Sequence, residues 1–288
     1  MTAKPLQINT RDGVALAATL YEPGTTNATA TTVIVNSGVA VRRRFYDGFA
    51  RYLCENGFTV ITYDYRGIGD SLSEPITQCG AQIADWGTQD FPAVIDAMSK
   101  RFPQNTIKLV GHSFGGQILG VAENNTAISA MLSIASQSGY WKHWPVPLRY
   151  AMATLWFAVM PGITTLLSYF PSKRLNMGEN LPAGVAQQWA RWCRHPDYLR
   201  ADAITSGDDY FDQFHGKIRS ISFGNDRAAP GTAVDALHAM YTRATVERVH
   251  IEPSAAESEK IGHFGFFRLP ADHEHWRQAV QWLAQRTD

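Results

Sequence analysis

Gly111-His112-Ser113-Phe114-Gly115-Gly116 follows the apolar run Ile107–Val110 and precedes a helical pattern over Gln117–Glu123. This is G-x-S-x-G in a strand–turn–helix setting, which presents a serine on a sharp bend. The spacing has a steric cause. A strained turn brings backbone close on either side of the serine, so side chains two residues away would clash. Glycine at 111 and 115 removes both clashes, and the hydroxyl then stands clear of the sheet. The N–H of Phe114 opens the following helix, where unpaired donors and the helix dipole favour developing negative charge. Ser113 is therefore the candidate nucleophile and Phe114 the first candidate oxyanion donor.

A serine hydroxyl needs a base. Of the nine histidines, His263 stands in the glycine-flanked loop Ile261-Gly262-His263-Phe264-Gly265-Phe266, between the last strand pattern and the last helix pattern. His112 adjoins the nucleophile and is expected to point away from it. His273 and His275 fall at a polar helix start, and His143, His195 and His215 in or beside a helical insertion. The base in turn needs a carboxylate to orient its ring. Asp226 ends Ile221-Ser222-Phe223-Gly224-Asn225-Asp226, at the C-terminal end of a strand pattern, with a helix N-cap as its alternative role. Asp202, Asp208, Asp209 and Asp212 precede that strand and are worse placed. A second oxyanion donor is expected from Asn36-Ser37-Gly38-Val39-Ala40. Gly38 permits the turn, Val39 N–H is the first candidate, and Gly38 or Ala40 the alternatives.

Outward from this centre, β-rich runs alternate with helical patterns. The runs are Val14–Tyr21, Thr32–Asn36, Thr59–Tyr63, Ile107–Val110, Ala130–Ile134, Ile218–Phe223 and Val246–Ile251. Helical periods fall at Tyr46–Glu55, Ile83–Lys100, Gln117–Glu123, Ala233–Tyr241 and His273–Arg286. Thr-Val-Ile-Val and Ile-Lys-Leu-Val are apolar on nearly every residue, as suits parallel strands covered on both faces. Two short strands around Arg11-Asp12-Gly13 read as a hairpin. The expected class is α/β, with a mostly parallel twisted sheet of about eight strands and helices on both faces.

The alternation breaks between Gly139 and His215, where Trp141, Trp144, Trp156, Trp189 and Trp192 cluster. Val185, Trp189 and Trp192 share one helix face. Residues 139–214 are expected to form a helical cap over the sheet edge, with 1–138 and 215–288 as the core; extra core helices are the alternative. From Tyr150 to Ser172 no residue is charged. The length could span a bilayer, but Pro161-Gly162 and four hydroxyl residues favour two short buried helices.

Bulk properties exclude several classes. Lys+Arg and Asp+Glu are both 26, so the balanced charge gives no footprint for nucleic acid. With 45% hydrophobic residues the chain can bury a large core. Cys54, Cys79 and Cys193 form no C-x-x-C pair, which argues against zinc, a redox motif or a cysteine nucleophile. Reduced thiols and no apolar leader at Met1–Asp12 fit a cytoplasmic protein. Arg42-Arg43-Arg44 reads as a solvated helix start, with an anion site as the alternative.

These motifs, together with Asp64-Tyr65-Arg66-Gly67-Ile68-Gly69-Asp70-Ser71, resemble the α/β-hydrolase superfamily over nearly the whole chain outside the cap. More narrowly the chain is similar to bacterial hydrolases of the serine aminopeptidase-like and lysophospholipase-like branch. The resemblance implies a serine esterase of the Ser113, Asp226, His263 type, with no metal or organic cofactor. Asp64 and Arg66 are expected to brace loops near Ser113. Relatives with an Asp nucleophile are disfavoured by Ser113, and Ser37-Gly38 replaces the His-Gly common at the oxyanion loop. The expected substrate is a small acyl compound, first a carboxyl ester with a greasy acyl group, with thioester or amide open. Acyl transfer to another acceptor and a non-catalytic binding module are the rivals, and transient lipid contact through the cap is a variant of the first reading.

Overall fold

The computed structural model describes residues 1–24, 28–252, 254, 261–271 and 273–286. One eight-stranded sheet dominates, in the order β1-β2-β4-β3-β5-β6-β9-β10. The strands are β1 (Thr2–Asn9), β2 (Ala15–Glu22), β3 (Thr31–Asn36), β4 (Thr59–Tyr63), β5 (Thr106–His112), β6 (Ile128–Ile134), β9 (Lys217–Phe223) and β10 (Thr245–Ile251). β1 and β2 form the expected hairpin, and β2 pairs antiparallel with β4. Thr10 closes the hairpin turn by donating its N–H to Val14 O at 2.9 Å, with Gly13 at φ 87°. All other neighbours are parallel.

The apolar runs sit centrally because both sheet faces are covered. β4 is buried at every position. Ile34, Ile61, Leu109 and Met131 face one core with α3 (Phe91–Arg101), while Val33, Val35, Val60 and Val110 face the other. That second core includes Phe49 and Leu53 of α1 (Asp47–Glu55), Val234 of α8 (Gly231–His238), and Trp276 and Leu283 of α9 (Glu274–Ala284). Each such side chain contributes roughly 1.5–3 kcal/mol of burial. β10 is an edge strand of exposed and half-buried residues, none of them buried; Glu247 there pairs with its register partner Arg219 at 2.8 Å, the charged character that blunts a sheet edge.

The remaining pattern Ile83–Lys100 is helical throughout, with α2 (Ile83–Asp85) joined to α3 by a π turn at Trp86–Asp90. Two expectations fail. The pattern Gln117–Glu123 is not an α-helix: 3-10 turns occupy Ser113–Gly116 and Ile118–Val121. A Cβ at Gly120 would lie 2.4 Å from the Phe211 ring, so the segment is pressed flat against its neighbour. Nor does Pro161-Gly162 divide the uncharged stretch. α4 (Leu148–Thr154), a π turn at Leu155–Val159 and α5 (Met160–Leu167) run on as one rod, Leu148–Leu167, most of it unburied. Pro161 lies inside this rod, two residues after the π turn, where the i→i−4 ladder is already broken and the register change accommodates a residue without an N–H.

The insertion between β6 and β9 also holds β7 (Tyr169–Phe170), β8 (Leu181–Pro182), α6 (Ala183–Arg194) and α7 (Leu199–Ser206). It meets the loops at the C-terminal edge of the sheet at several places, among them the loop after β9, where Trp144 Nε1 donates to Arg227 O at 3.0 Å. Glu179 donates its N–H to Ala40 O at 2.7 Å and accepts from Arg42 at 2.8 Å. Tyr198 donates its hydroxyl to Gln117 Oε1 at 2.9 Å and accepts from Trp189 Nε1 at 3.0 Å.

Candidate active site

Ser113 follows the last residue of β5 and opens a 3-10 turn, at φ 51°. A non-glycine residue there is strained, and the surroundings hold it in place. The two glycines around it answer to close backbone. A Cβ at Gly111 would sit 2.4 Å from Gly116 Cα, and one at Gly115 would sit 2.2 Å from Asn36 O.

His263 reaches Ser113 from the loop after β10, with Nε2 2.9 Å from Ser113 Oγ. Its Nδ1 lies 2.8 Å from Asp226 Oδ2. An ionised carboxylate only accepts, so Nδ1 carries the proton and Nε2 keeps its lone pair toward the serine. Asp226 is not a helix cap: helix α8 starts five residues on, capped by Pro230. Its Oδ1 instead takes the N–H groups of Ala228 at 2.8 Å and Ala229 at 3.1 Å, which fixes the carboxylate plane. Asn225 Oδ1 accepts from Gly262 N–H at 3.1 Å, tying the acid loop to the base loop.

The oxyanion loop corrects one candidate. Gly38 N–H donates to Tyr46 Oη at 2.9 Å and is not available to a substrate. Gly38 serves by closeness: a Cβ there would stand 3.3 Å from His112 Nδ1 and 3.5 Å from Ser113 Cβ. Val41 N–H closes a turn onto Gly38 O at 3.2 Å, with Ala40 at φ 61°. Among the described residues, no backbone carbonyl or side chain accepts from Val39 N–H or Phe114 N–H.

His112 points away from Ser113, as expected, and it has work of its own. Its Nε2 is 2.8 Å from His263 O and its Nδ1 2.7 Å from Tyr46 Oη. The carbonyl can only accept, so Nε2 bears the proton, and the Tyr46 hydroxyl donates to Nδ1. Burial, then the neighbouring His263, pushes His112 down to about 3, so the ring stays neutral. Burial raises the Tyr46 phenol far above its ordinary value. One chain of buried hydrogen bonds thus joins Gly38, the nucleophile strand and the backbone of His263. Tyr46 was not singled out in the sequence; an aromatic residue at a helix start carries no signal of its partners.

Asp64 is buried and braces the segment after Gly38, accepting from Arg43 N–H at 2.7 Å, the Arg43 guanidinium and Asp70 N–H at 3.1 Å. Arg66 acts elsewhere. It joins Asp12 in the β1–β2 turn (2.6 Å) to buried Asp90 (2.7 Å) at the head of α3. Tyr65 instead holds the oxyanion loop, donating to Ser37 O at 3.2 Å. Arg42, Arg43 and Arg44 are engaged by Glu179, Asp64 and Asp70, so their charge is met by carboxylates rather than left for an anion. Cys54 and Cys193 are buried, with burial raising both thiols. Among the described residues no group of three or more His, Cys, Asp or Glu is placed to hold a metal ion.

Fold and site together define an α/β-hydrolase with a serine at its nucleophile turn. Residues 27–192, more than half of the chain, match the family model described as Hydrolase_4, serine aminopeptidase S33, and the chain belongs to that family of α/β serine hydrolases. It is 30% identical over 132 residues to the quorum-quenching protein AidA of Acinetobacter baumannii (strain MDR-ZJ06), a match covering 44% of this chain and 42% of that protein. Among solved structures it is similar to the esterase EaEST of Exiguobacterium antarcticum (TM-score 0.63, 17% identity, 98% of this chain and 100% of that one). It is also similar to Est1E of Butyrivibrio proteoclasticus bound to ferulic acid (TM-score 0.56, 17% identity, 96% of each chain). At these identities the structural likeness establishes the fold.

Proposed function

We propose that the protein cleaves a carboxyl ester with an apolar acyl group through an acyl-enzyme on Ser113. The observation that carries this is the His263 ring, set between Ser113 Oγ at 2.9 Å and Asp226 Oδ2 at 2.8 Å. His263 Nε2 takes the hydroxyl proton as Ser113 Oγ bonds to the ester carbonyl carbon. The carbonyl oxygen becomes an oxyanion, received by Phe114 N–H and Val39 N–H. Asp226 stabilises the imidazolium without taking its proton. His263 Nε2–H then protonates the departing alkoxide as the C–O bond breaks. Water repeats the sequence: it loses a proton to Nε2, attacks the acyl carbon, and Ser113 leaves with that proton.

Residues 139–214 act here as a cap. Its links to Ala40, Arg42 and Gln117 set it beside both oxyanion donors. Half-buried Val39 and Trp141 pack against the same apolar cluster as Trp156 and Trp192, which supports an apolar acyl group. The name of the esterase EaEST fits an ester as the bond cleaved.

The test is fluorophosphonate labelling with hydrolysis of p-nitrophenyl esters of graded chain length, alongside Ser113→Ala. Labelling at Ser113 and a loss of ~10⁴-fold or more in kcat are expected. Absent labelling, or full activity in the variant, refutes the assignment.

A further inference from the structure

The rod Leu148–Leu167 faces outward in an unusual way. Trp156, Met160 and Thr164, four residues apart, form its buried stripe, and the Trp156 ring meets Trp189 of α6 at 4.8 Å. On the flanks the rod leaves open, Tyr150, Phe157 and Leu166 are 62%, 53% and 83% exposed. A helix face open to water ordinarily carries charge; this one carries none from Tyr150 to Ser172. Exposed apolar side chains continue beyond both ends, with Val146 before the rod and Leu175 and Met177 after it.

Along the chain, the charge that flanks this rod has one sign. Between Glu123 and Glu179 the chain contains no Asp or Glu, yet it holds Lys142, Arg149, Lys173 and Arg174. Two precede or open the rod and two follow it. Lys173 is paired with Glu179 at 2.9 Å. Lys142 lies over the Trp141 ring at 5.4 Å, and Arg149 Nε donates to Trp144 O at 3.0 Å. Neither they nor Arg174 pair with a carboxylate among the described residues. From α6, the Arg194 guanidinium lies 5.5 Å over the exposed Phe157 ring. On the adjoining surface Asp202 is held by Arg191 and by Trp192 Nε1 at 2.6 Å, while Asp197 stands 68% exposed, 3.7 Å from His195 Nδ1.

We propose that this face docks on the surface of a bilayer containing anionic phospholipid, with the rod lying in the headgroup plane. Apolar side chains in the middle and cations at both ends are what such an interface takes. A spanning arrangement would strip the stripe Trp156, Met160, Thr164 from α6. A second copy of the chain is disfavoured by charge, because two such faces would bring cations against cations. The inference stands independently of the chemistry at Ser113.

The test is flotation of the full chain with vesicles of phosphatidylcholine alone or with added phosphatidylglycerol. Partitioning onto the anionic vesicles at least ~10-fold above the neutral ones is expected, weakening as salt is raised. Leu166→Glu, and separately Lys142→Glu with Arg174→Glu, should each lower it by ~10-fold. Hydrolysis of a short soluble ester and the circular dichroism spectrum should stay unchanged in both. Wild-type protein that stays off anionic vesicles, or Leu166→Glu that binds like wild type, overturns the proposal. So does a dimer in analytical ultracentrifugation that Leu166→Glu dissolves while vesicle binding is absent. Probe labelling of Ser113 is read apart from flotation, so failure of docking and failure of the esterase reading are told apart.

Discussion

Replacing Tyr46 by Phe deletes one oxygen atom from the molecule and tests how the site is held together. That oxygen accepts from Gly38 N–H at 2.9 Å and donates to His112 Nδ1 at 2.7 Å, inside a fully buried environment. Phenylalanine keeps the ring and its edge contact with Phe267 at 4.8 Å, so packing barely changes. Two buried polar groups lose their partner. Each unsatisfied group costs about 1–3 kcal/mol, which sums to about 2–6 kcal/mol of stability. For a chain of this size that is a fall in Tm of roughly 5–20 °C. The effect on catalysis has a separate origin. Gly38 precedes the amide assigned to the oxyanion, and His112 holds the backbone carbonyl of His263 at 2.8 Å. Misplacement of such groups by about 1 Å costs about 10²-fold, so kcat should fall roughly 10- to 100-fold below the variant's own unfolding temperature. KM should change little, because the oxyanion forms only in the transition state. The assay is steady-state hydrolysis of a short p-nitrophenyl ester, with differential scanning calorimetry on the same sample. A variant with wild-type Tm and wild-type kcat would show that the hydroxyl does not couple these loops. One that lost stability alone would confine it to a structural role.

Two further outcomes follow from the same geometry. Asp226→Asn should lower kcat about 10⁴-fold with little change in fold, since an amide at 226 can donate to Nδ1 and stabilise the wrong tautomer; near wild-type turnover would remove Asp226 from the mechanism. Stability should fall on mild acidification. Burial holds His112 at about 3 and His238 at about 4 in the folded chain, against about 6.5 unfolded, so the unfolded chain binds both protons first as pH drops below about 6.5. Asp90 opposes them: burial, against the pull of Arg66, raises its carboxyl to about 7. The two histidines outweigh the one carboxyl, so urea unfolding should show stability falling from pH 6.5 to 5, with a slope that steepens to about 1 kcal/mol per pH unit near pH 5. A flat or opposite slope contradicts this.

The nucleophile turn was readable in the chain because its constraint is local: backbone approaches so closely at Gly111 and Gly115 that only glycine fits. His263 and Asp226 were readable from their places after strand patterns, and the structure brings both to Ser113. The parallel strands were readable because two-sided burial writes an unbroken apolar run. What escaped depends on partners far along the chain. Gly38 stood as an alternative amide donor to Val39 until Tyr46, eight residues on, proved to occupy it. The stretch after Ser113 has helical periodicity, but contact with Phe211 flattens it into 3-10 turns. Pro161-Gly162 looked like a break, yet proline is tolerated where α5 begins after a π turn. Periodicity reports which face is apolar, and not whether the backbone hydrogen bonds run on.

The order in which the three site residues leave the ribosome has a consequence for the life of the chain. A nascent polypeptide that has reached residue 216 already carries β5 and its serine, but neither β9 with the carboxylate after it nor β10 with the imidazole beyond. Domains can begin to fold during synthesis, and at that stage the hydroxyl is an ordinary, unreactive alcohol. On the proposed triad, chemistry waits until residue 263 has been made and β10 has joined the edge of the sheet, so a chain released before that point carries the serine without its base.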